Sequence, residues 1–324
     1  MAALPQSNAL RIHFAHVAYQ LKARFDARAT GIECFQTWTP EETAARIGEG
    51  DVFVASGFWR NHLLPKADNL KFIQVCAAGY DNYDHAAIAE RGVRLCNASG
   101  VNANAVSDHA LALMLGFTRQ THLARDNQKR KVWRGMISDI PKREDELAGK
   151  TVLIYGAGKI GGRIARLSKA FEMTTLGVRR DVSKTVPAMD KLYAPGDFMG
   201  VLPLADFVIL ACPLTDATRN LMDAAAFKAM KPSARLINVA RGGCVNQDAL
   251  IDALNAGEIA GAGIDVTVPE PLDAASPLWG FENVILTPHT GGETQRYEDN
   301  VVDFLLENIQ RLQAGRTDLL NQIV

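Results

Sequence analysis

The chain has 324 residues, a length typical of about two globular domains. Hydrophobic residues make up 48%, charged residues make up 22%, and the formal net charge is -1. This balance excludes the strongly basic surface with which proteins bind nucleic acid or an anionic membrane. The sequence shows neither a secretory signal nor an apolar stretch of membrane-spanning length, so we expect a cytoplasmic protein. Five scattered cysteines form no C-x-x-C pair, so neither a disulfide framework nor a metal site is expected.

Strand and helix signals alternate along the first hundred residues. Strands are predicted at residues 12–14, 51–55, 70–75 and 93–96, with helical segments around 41–47 and 84–91. Such alternation is typical of a parallel sheet with crossover helices. A glycine- and asparagine-rich stretch at 97–102 resembles a hinge, and an apolar helix is predicted from residue 107 to 115.

A phosphate-binding motif lies near the middle of the chain. Residues 151–155 are typical of a short buried strand, and they lead into Gly156-Ala157-Gly158-Lys159-Ile160-Gly161 and then into a segment with helical spacing. This is a G-x-G-x-x-G fingerprint between a strand and a helix. Gly156 allows the tight turn, Gly158 lets the backbone approach a pyrophosphate, and Gly161 lets the helix pack on the strand. The motif therefore predicts a dinucleotide-binding domain.

The strand after this motif, predicted at residues 174–178, lacks the usual acidic residue at its end. A carboxylate there accepts from the ribose hydroxyls of NAD. This chain has Arg179-Arg180 instead, and two guanidinium groups favour the 2′-phosphate of NADP(H). In the alternative interpretation, the arginines are a solvated strand end and Asp181 takes the acidic role.

Further strands are predicted at 207–210, 234–238, 261–266 and 284–287. Arg241, Glu270 and His289 follow the last three of these strands in turn, and Glu270 stands between two prolines. Residues at the carboxyl ends of strands in an open α/β sheet face the ligand crevice. An arginine offers a planar fork to a carboxylate or carbonyl, and a histidine offers acid/base chemistry. Singly, each is more often a surface or structural residue, but together they predict a reaction site.

Five segments together resemble the D-isomer-specific 2-hydroxyacid dehydrogenases, in particular the glyoxylate and hydroxypyruvate reductases. They are residues 77–82, 156–161, 238–242, 263–272 and 287–289. The resemblance covers nearly the whole chain, although Ser107-Asp108-His109 stands where Ala-Glu-His is usual.

The resemblance implies an α/β fold of two doubly wound Rossmann-like domains, with the cofactor domain inserted in the substrate domain. Residues 101–291 would be the dinucleotide-binding domain, and residues 1–100 plus 292–324 the substrate (catalytic) domain. Two glycine-containing segments that resemble hinges, at residues 97–102 and 288–292, independently favour the insertion of one domain in the other.

The resemblance also implies residue roles in the reduction of a 2-oxo acid by NAD(P)H. Arg241 would hold the substrate's carboxylate and 2-oxo oxygen, and the N–H groups of Ala78 and Gly79 would bind the carboxylate. His289 would donate the proton, and Glu270 would hydrogen-bond His289 and favour its protonated form. Cofactor contacts would fall on Gly156, Gly158, Lys159, Ile160, Gly161, Arg179, Arg180, Cys212, Val239, Ala240, Arg241, Asp265, His289 and Gly291. NADP(H) is favoured and NAD(H) is possible.

Three further classes of protein share this pattern. Formate dehydrogenases have Gln in place of Glu270, and phosphite dehydrogenases carry a lysine where this chain has Ala77-Ala78, so both are disfavoured. Dinucleotide-sensing corepressors keep the fold and the three residues but have long extra tails, which this chain is expected to lack.

Family members are usually homodimers, with the interface around residues 111–134. Trp133 is a candidate either for capping the cleft of a partner or for anchoring its own segment, and Phe58 and Trp59 are candidates either for lining a side-chain pocket or for packing in the core.

Overall fold

The structure is a computed structural model that describes Leu4 and residues 9–80 and 82–324. The chain divides into two compact units. The first comprises the residues up to Asn102 together with Thr294–Val324, and the second comprises Ala103–Glu293.

Twelve strands form two sheets within the described residues. They are β1 (Arg11–Ala15), β2 (Glu33–Thr37), β3 (Val52–Ala55), β4 (Phe72–Val75), β5 (Arg94–Cys96), β6 (Thr151–Tyr155), β7 (Thr174–Val178), β8 (Lys191–Tyr193), β9 (Phe207–Leu210), β10 (Arg235–Asn238), β11 (Gly261–Ile264) and β12 (Val284–Leu286). The first sheet has the order β2-β1-β3-β4-β5, and the second has the order β12-β11-β10-β9-β6-β7-β8.

The α-helices of the described chain cover the sheets. They are α1 (Leu21–Asp26), α2 (Pro40–Arg46), α3 (His85–Glu90), α4 (Ala103–Thr118), α5 (Thr121–Arg130), α6 (Lys159–Ala170), α7 (Phe198–Val201), α8 (Ala224–Ala229), α9 (Gln247–Ala256) and α10 (Tyr297–Gln313). None of the helices in the described residues is long and apolar enough to cross a bilayer.

All strand pairs in both sheets are parallel. The central strands are buried along their whole length, because helices cover both faces of a parallel sheet. In the second unit the strand order reverses between β6 and β9. Ligands of doubly wound sheets bind at such a switch point, at the carboxyl ends of the strands. The predicted α/β class with two Rossmann-like sheets is confirmed.

Short sequence signals set the ends of several helices. Thr39 accepts a hydrogen bond from the Glu42 amide at the start of α2, and Pro40 occupies the first helical position. Asn246 caps α9 in the same way, and Gly257 ends that helix at a φ of +68°. A polar N-cap contributes about 1 kcal/mol, and glycine takes the left-handed C-cap conformation at little cost.

Several elements escaped the sequence prediction, among them strands β2 and β8 and helix α5. Strand β2 lies at a sheet edge and carries polar residues in alternation, so it lacks the apolar run of its neighbours. Strand β8 has only three residues. Helix α5 was also not predicted. It buries no side chain and therefore shows no apolar face.

Candidate active site

The glycine-rich turn after β6 has the close packing that its motif predicts. Gly156 has a φ of +106°, and a Cβ atom on it would lie 2.6 Å from the Ala211 carbonyl oxygen. A Cβ on Gly161 would lie 2.2 Å from the carbonyl oxygen of Gly156. Around a Cβ on Gly158, by contrast, no described atom lies within 4 Å. The turn is therefore closely packed at Gly156 and Gly161 and has open space at Gly158, beside the N-terminus of α6. This arrangement suits the binding of a pyrophosphate.

The two residues that depart from the family pattern join α4 to α6. The Ser107 hydroxyl donates to the carbonyl oxygens of Ala103 and Ile160. The Arg163 guanidinium lies 2.5 Å from the Asp108 carboxylate and also donates to the Asn104 carbonyl. These hydrogen bonds attach α4 to the phosphate-binding helix α6.

Two guanidinium groups stand at the carboxyl end of β7. The Arg179 amide donates to the Tyr193 carbonyl of β8, and its side chain donates to the Lys184 carbonyl at 3.3 Å. Asp181 accepts from both the amide and the hydroxyl of Ser183, and these hydrogen bonds hold the pKa of its carboxyl below the usual range. Its carboxylate is therefore directed into its own turn.

The turn after β10 is held by a buried amide. The Asn238 side chain is fully buried, accepts from the Ala240 amide and donates to the Arg241 carbonyl. The Arg241 guanidinium is exposed and donates to the Ala240 carbonyl at 2.7 Å. We did not predict a role for Asn238, although a polar residue at the end of an apolar strand was a usable signal.

Asp265 lies directly after β11, and its carboxylate holds the loop that follows β12 through hydrogen bonds. Its carboxylate is 4% exposed and accepts from the Thr287 hydroxyl at 2.7 Å, the Thr290 amide at 3.0 Å and the Gly291 amide at 3.0 Å. The His109 ring lies 3.4 Å from the same carboxylate. Burial alone raises the pKa of Asp265, but hydrogen bonds from His109, Thr287 and Gly291 outweigh it and hold the pKa below its usual value. The carboxylate therefore stays charged.

This contact network was not visible in the sequence. His109 and Thr287 lie 178 residues apart, and their side chains are 2.9 Å apart. No local spacing in the sequence pairs a helix residue with a distant residue that follows a strand. The prediction that Asp265 contacts the cofactor stays a prediction.

Glu270 and His289 form a close pair. The distance from Nδ1 of His289 to Oε2 of Glu270 is 2.7 Å, and the other Glu270 oxygen accepts from the Thr267 amide at 3.1 Å. The His289 amide donates to the Asp265 carbonyl, so β11 positions the histidine backbone. The imidazole is 47% exposed, and Nδ1 is its hydrogen-bonded nitrogen within the described residues. This arrangement leaves Nε2 available for proton transfer.

A cavity of about 560 Å³ adjoins this pair. Its walls are largely apolar and include Leu272, Trp279, Leu286 and Pro288. The acid/base pair therefore borders both solvent and an apolar surface.

The predicted carboxylate loop of the first unit follows β4. Asn97 donates to the Ala78 carbonyl at 2.7 Å, and the Ala98 amide donates to the Ala77 carbonyl. Among the described residues, the amides of Ala78 and Gly79 have no hydrogen-bond acceptor, so they are free to bind an anion. Asp81 of the same segment lies outside the described residues.

The proposed pocket role of Trp59 is wrong. The indole is fully buried, donates to the Asn61 side chain and stacks on Tyr83. It is a core residue that packs against the rings of Phe53 and Tyr83.

Comparisons with known proteins identify the family of the chain. Residues 111–291 match the model of the D-isomer specific 2-hydroxyacid dehydrogenase NAD binding domain. The chain is 38% identical to the glyoxylate reductase of Pyrococcus furiosus over 77% of this chain and 74% of the relative. It is 32% identical to glyoxylate/hydroxypyruvate reductase B of Pectobacterium carotovorum, over 94% of both chains.

A solved structure gives the same result. The chain is similar to a D-isomer specific 2-hydroxyacid dehydrogenase family protein from Aeromonas salmonicida, with a TM-score of 0.83 and 29% identity. That match covers 97% of this chain and 99% of the other. The chain therefore belongs to the D-isomer-specific 2-hydroxyacid dehydrogenase family and is an NAD(P)-dependent enzyme acting on CH–OH donors.

Proposed function

We propose that the enzyme reduces a 2-oxo acid to a D-2-hydroxy acid, with NADPH as the favoured cofactor. The substrate is glyoxylate, hydroxypyruvate or a larger 2-oxo acid. The observation that carries the proposal is the Glu270–His289 pair at 2.7 Å, which stands at the same edge of the sheet as Arg241 and the glycine-rich turn. The second unit is then the dinucleotide-binding domain and the first is the substrate domain.

The proposed mechanism gives a role to four groups of the chain, beside the cofactor. When bound, the reduced nicotinamide supplies a hydride to the carbonyl carbon. Arg241 stabilises the negative charge that develops on the carbonyl oxygen, and Nε2 of His289 delivers a proton to it. Glu270 fixes the orientation of the imidazole through its hydrogen bond with Nδ1. The free amides of Ala78 and Gly79 bind the substrate carboxylate.

NADPH selection is assigned to Arg179 and Arg180. Their guanidinium groups match the 2′-phosphate, and the nearby carboxylate of Asp181 is committed to Ser183. Arg179→Asp should move the ratio of kcat/KM values from NADPH toward NADH by roughly tenfold or more, since a charged hydrogen bond contributes about 1.5–3 kcal/mol. Lys228→Asp on the exposed face of α8 is the charge-matched control. An unchanged ratio in Arg179→Asp would show that the arginines do not contact the cofactor.

The substrate class is tested with a panel of 2-oxo acids of increasing side-chain size, assayed with each cofactor. The proposal expects turnover with at least one member and a D-configured product. A protein that binds nucleotide but reduces no member of the panel would instead act as a dinucleotide-sensing binding protein.

We also propose that the enzyme is a homodimer. Within the predicted interface segment, residues 111–134, the apolar residues Leu111 and Met114 of α4 are buried inside their own unit. The exposed apolar residues lie further on, at Trp133 (98% exposed), Met136 (101%) and Ile140 (72%). Such a cluster on one segment is typical of a surface that a partner covers. Trp133→Ser with Met136→Ser should shift the sedimentation coefficient toward that of a monomer.

A further inference from the structure

A histidine of α4 contacts the loop that carries the proposed proton donor. The ring nitrogen Nε2 of His109 lies 2.9 Å from the hydroxyl oxygen of Thr287 and 3.4 Å from a carboxylate oxygen of Asp265. Thr287 follows β12 directly and precedes His289 by two residues. The His109 side chain is 20% exposed, so most of its surface is covered by the protein. His109 can therefore act on His289 through the loop without contacting the imidazole itself.

The hydrogen bonds of this network have one consistent direction. The charged Asp265 carboxylate can only accept, and the Thr287 hydroxyl donates its single proton to it at 2.7 Å. The Thr287 oxygen can then only accept from His109, so Nε2 of His109 carries a proton. The donors thus run from His109 through Thr287 to Asp265. A side chain at position 109 must present an N–H group at the place of Nε2 to complete this series.

The loop after β12 is closely packed against the same two side chains. The Gly291 amide donates to the Asp265 carboxylate at 3.0 Å. A Cβ atom on Gly291 would lie 2.8 Å from that carboxylate and 3.1 Å from Cδ2 of His109. His289 therefore lies between two attached positions of the loop, Thr287 and Gly291. A displacement of either position moves the backbone that carries the imidazole.

The same turn of α4 is attached to the phosphate-binding helix α6. Ser107 donates to the Ile160 carbonyl, and the Asp108 carboxylate pairs with the Arg163 guanidinium. Successive residues of an α-helix point about 100° apart. His109 can therefore contact the loop after β12 while its two neighbours contact α6. This single turn of α4 attaches both the phosphate-binding helix and the loop of the proton donor.

We propose that His109 is a positioning residue for His289 and acts through the Thr287 hydroxyl. Its Nε2–H group fixes Thr287, and the loop then holds the His289 imidazole in its place beside Glu270. The proton transfer itself stays with Nε2 of His289. The effect on turnover rests on the proposed function, whereas the attachment of the loop to α4 does not.

Two pairs of matched variants test this role. His109→Gln presents an N–H group as many bonds from the backbone as Nε2, whereas the amide of His109→Asn is one bond too short. Thr287→Ser keeps the hydroxyl, and Thr287→Val removes it at nearly the same volume. The kcat for the best 2-oxo acid should fall by roughly tenfold or more in His109→Asn and Thr287→Val, because small displacements of a catalytic group have costs of this size. In His109→Gln and Thr287→Ser it should stay within about threefold of wild type.

Two further measurements separate positioning from general damage to the fold. The KM for NADPH should change by less than about threefold in all four variants, because the glycine-rich turn keeps its sequence and its packing. Amide hydrogen exchange of residues 287–293 should become faster in His109→Asn and Thr287→Val, and the increase should be confined to this segment and α4. The exchange measurement does not depend on which substrate the enzyme reduces.

The double variant His109→Asn with Thr287→Val should lose no more turnover than the larger of the two single losses, since both changes break one hydrogen bond. Losses that multiply, or a His109→Gln variant as slow as His109→Asn, would overturn the proposal. Unchanged exchange of residues 287–293 in Thr287→Val would refute the attachment itself. A wild type that reduces no 2-oxo acid would refute the proposed function, and the exchange rates would still decide whether His109 attaches the loop. If His109→Asn does not fold, Thr287→Val compared with Thr287→Ser decides the same question.

Discussion

The carboxylate of Asp265 is predicted to hold the His289 loop in place. Asp265→Asn replaces one acceptor oxygen by an NH₂ group, which then faces the amides of Thr290 and Gly291 or the Thr287 hydroxyl. A buried donor left without an acceptor costs about 1–3 kcal/mol, and the remaining hydrogen bonds lose the assistance of the charge. The free energy of unfolding should therefore fall by roughly 2–4 kcal/mol.

This loss is measured by thermal unfolding at pH 7. A unit of about this size shifts its midpoint by roughly 2–4 °C per kcal/mol, so the transition should move down by roughly 5–15 °C. Turnover should also fall by more than about tenfold, because the loop that carries His289 loses its attachment to β11. Asp216→Asn, an exposed aspartate of the same unit, is the matched control.

The effect has a defined pH dependence. The pKa of Asp265 is lower in the folded chain than its ordinary value of 3.8. A depressed carboxyl pKa adds stability above the unfolded-state value, and this stability is lost as the pH falls through the folded-state value. The difference in unfolding free energy between wild type and Asp265→Asn should therefore have its full size at pH 7 and become smaller below pH 3.8. A variant that melts within about 1 °C of Asp216→Asn at pH 7 would refute this account.

Three further predictions concern the proton donor, the glycine-rich turn and a buried histidine. His289→Ala should cut turnover by roughly 100-fold while the cofactor still binds, as measured by NADPH fluorescence, and unchanged turnover would contradict its role. Gly158→Ala should leave the free energy of unfolding within about 0.5 kcal/mol of wild type but weaken nucleotide binding. Gly161→Ala should lower the free energy of unfolding by about 1–3 kcal/mol, because its methyl group overlaps a backbone carbonyl. Equal losses of stability in the two variants would contradict this distinction. Burial lowers the pKa of His13 from 6.5 to about 4, so the unfolded chain binds a proton first as pH falls, and the chain should lose about 3 kcal/mol between pH 6.5 and 4. The free energy of unfolding in urea should depend less on pH in His13→Gln than in wild type over this window. An equal pH dependence in the two proteins would show that His13 is not the cause.

The glycine-rich turn shows what local sequence can specify. Gly156, Gly158 and Gly161 have distinct physical roles at fixed spacing within one strand-turn-helix unit, so the dinucleotide site was predictable from a short segment. The alternation of strands and helices likewise predicted two parallel sheets, since crossover connections allow few other arrangements. Strand β2 was missed because an edge strand does not need a continuous apolar pattern.

The order Arg241, Glu270, His289 on successive strand ends was visible in the sequence, because parallel strands place their carboxyl ends at one edge of a sheet. The 2.7 Å contact between Glu270 and His289 was implied by the family resemblance and is present in the fold. The roles of both residues stay a proposal until the variants are measured.

Other features depend on contacts between distant parts of the chain. The sequence alone determined the fold class, the family and the position of the phosphate-binding turn, because these follow from periodicity and from motifs within a few residues. Only the tertiary structure decided that Trp59 is a core residue and that His109 and Thr287 support Asp265. The reason is that packing and hydrogen bonding join residues through space, across separations for which no local pattern carries a signal.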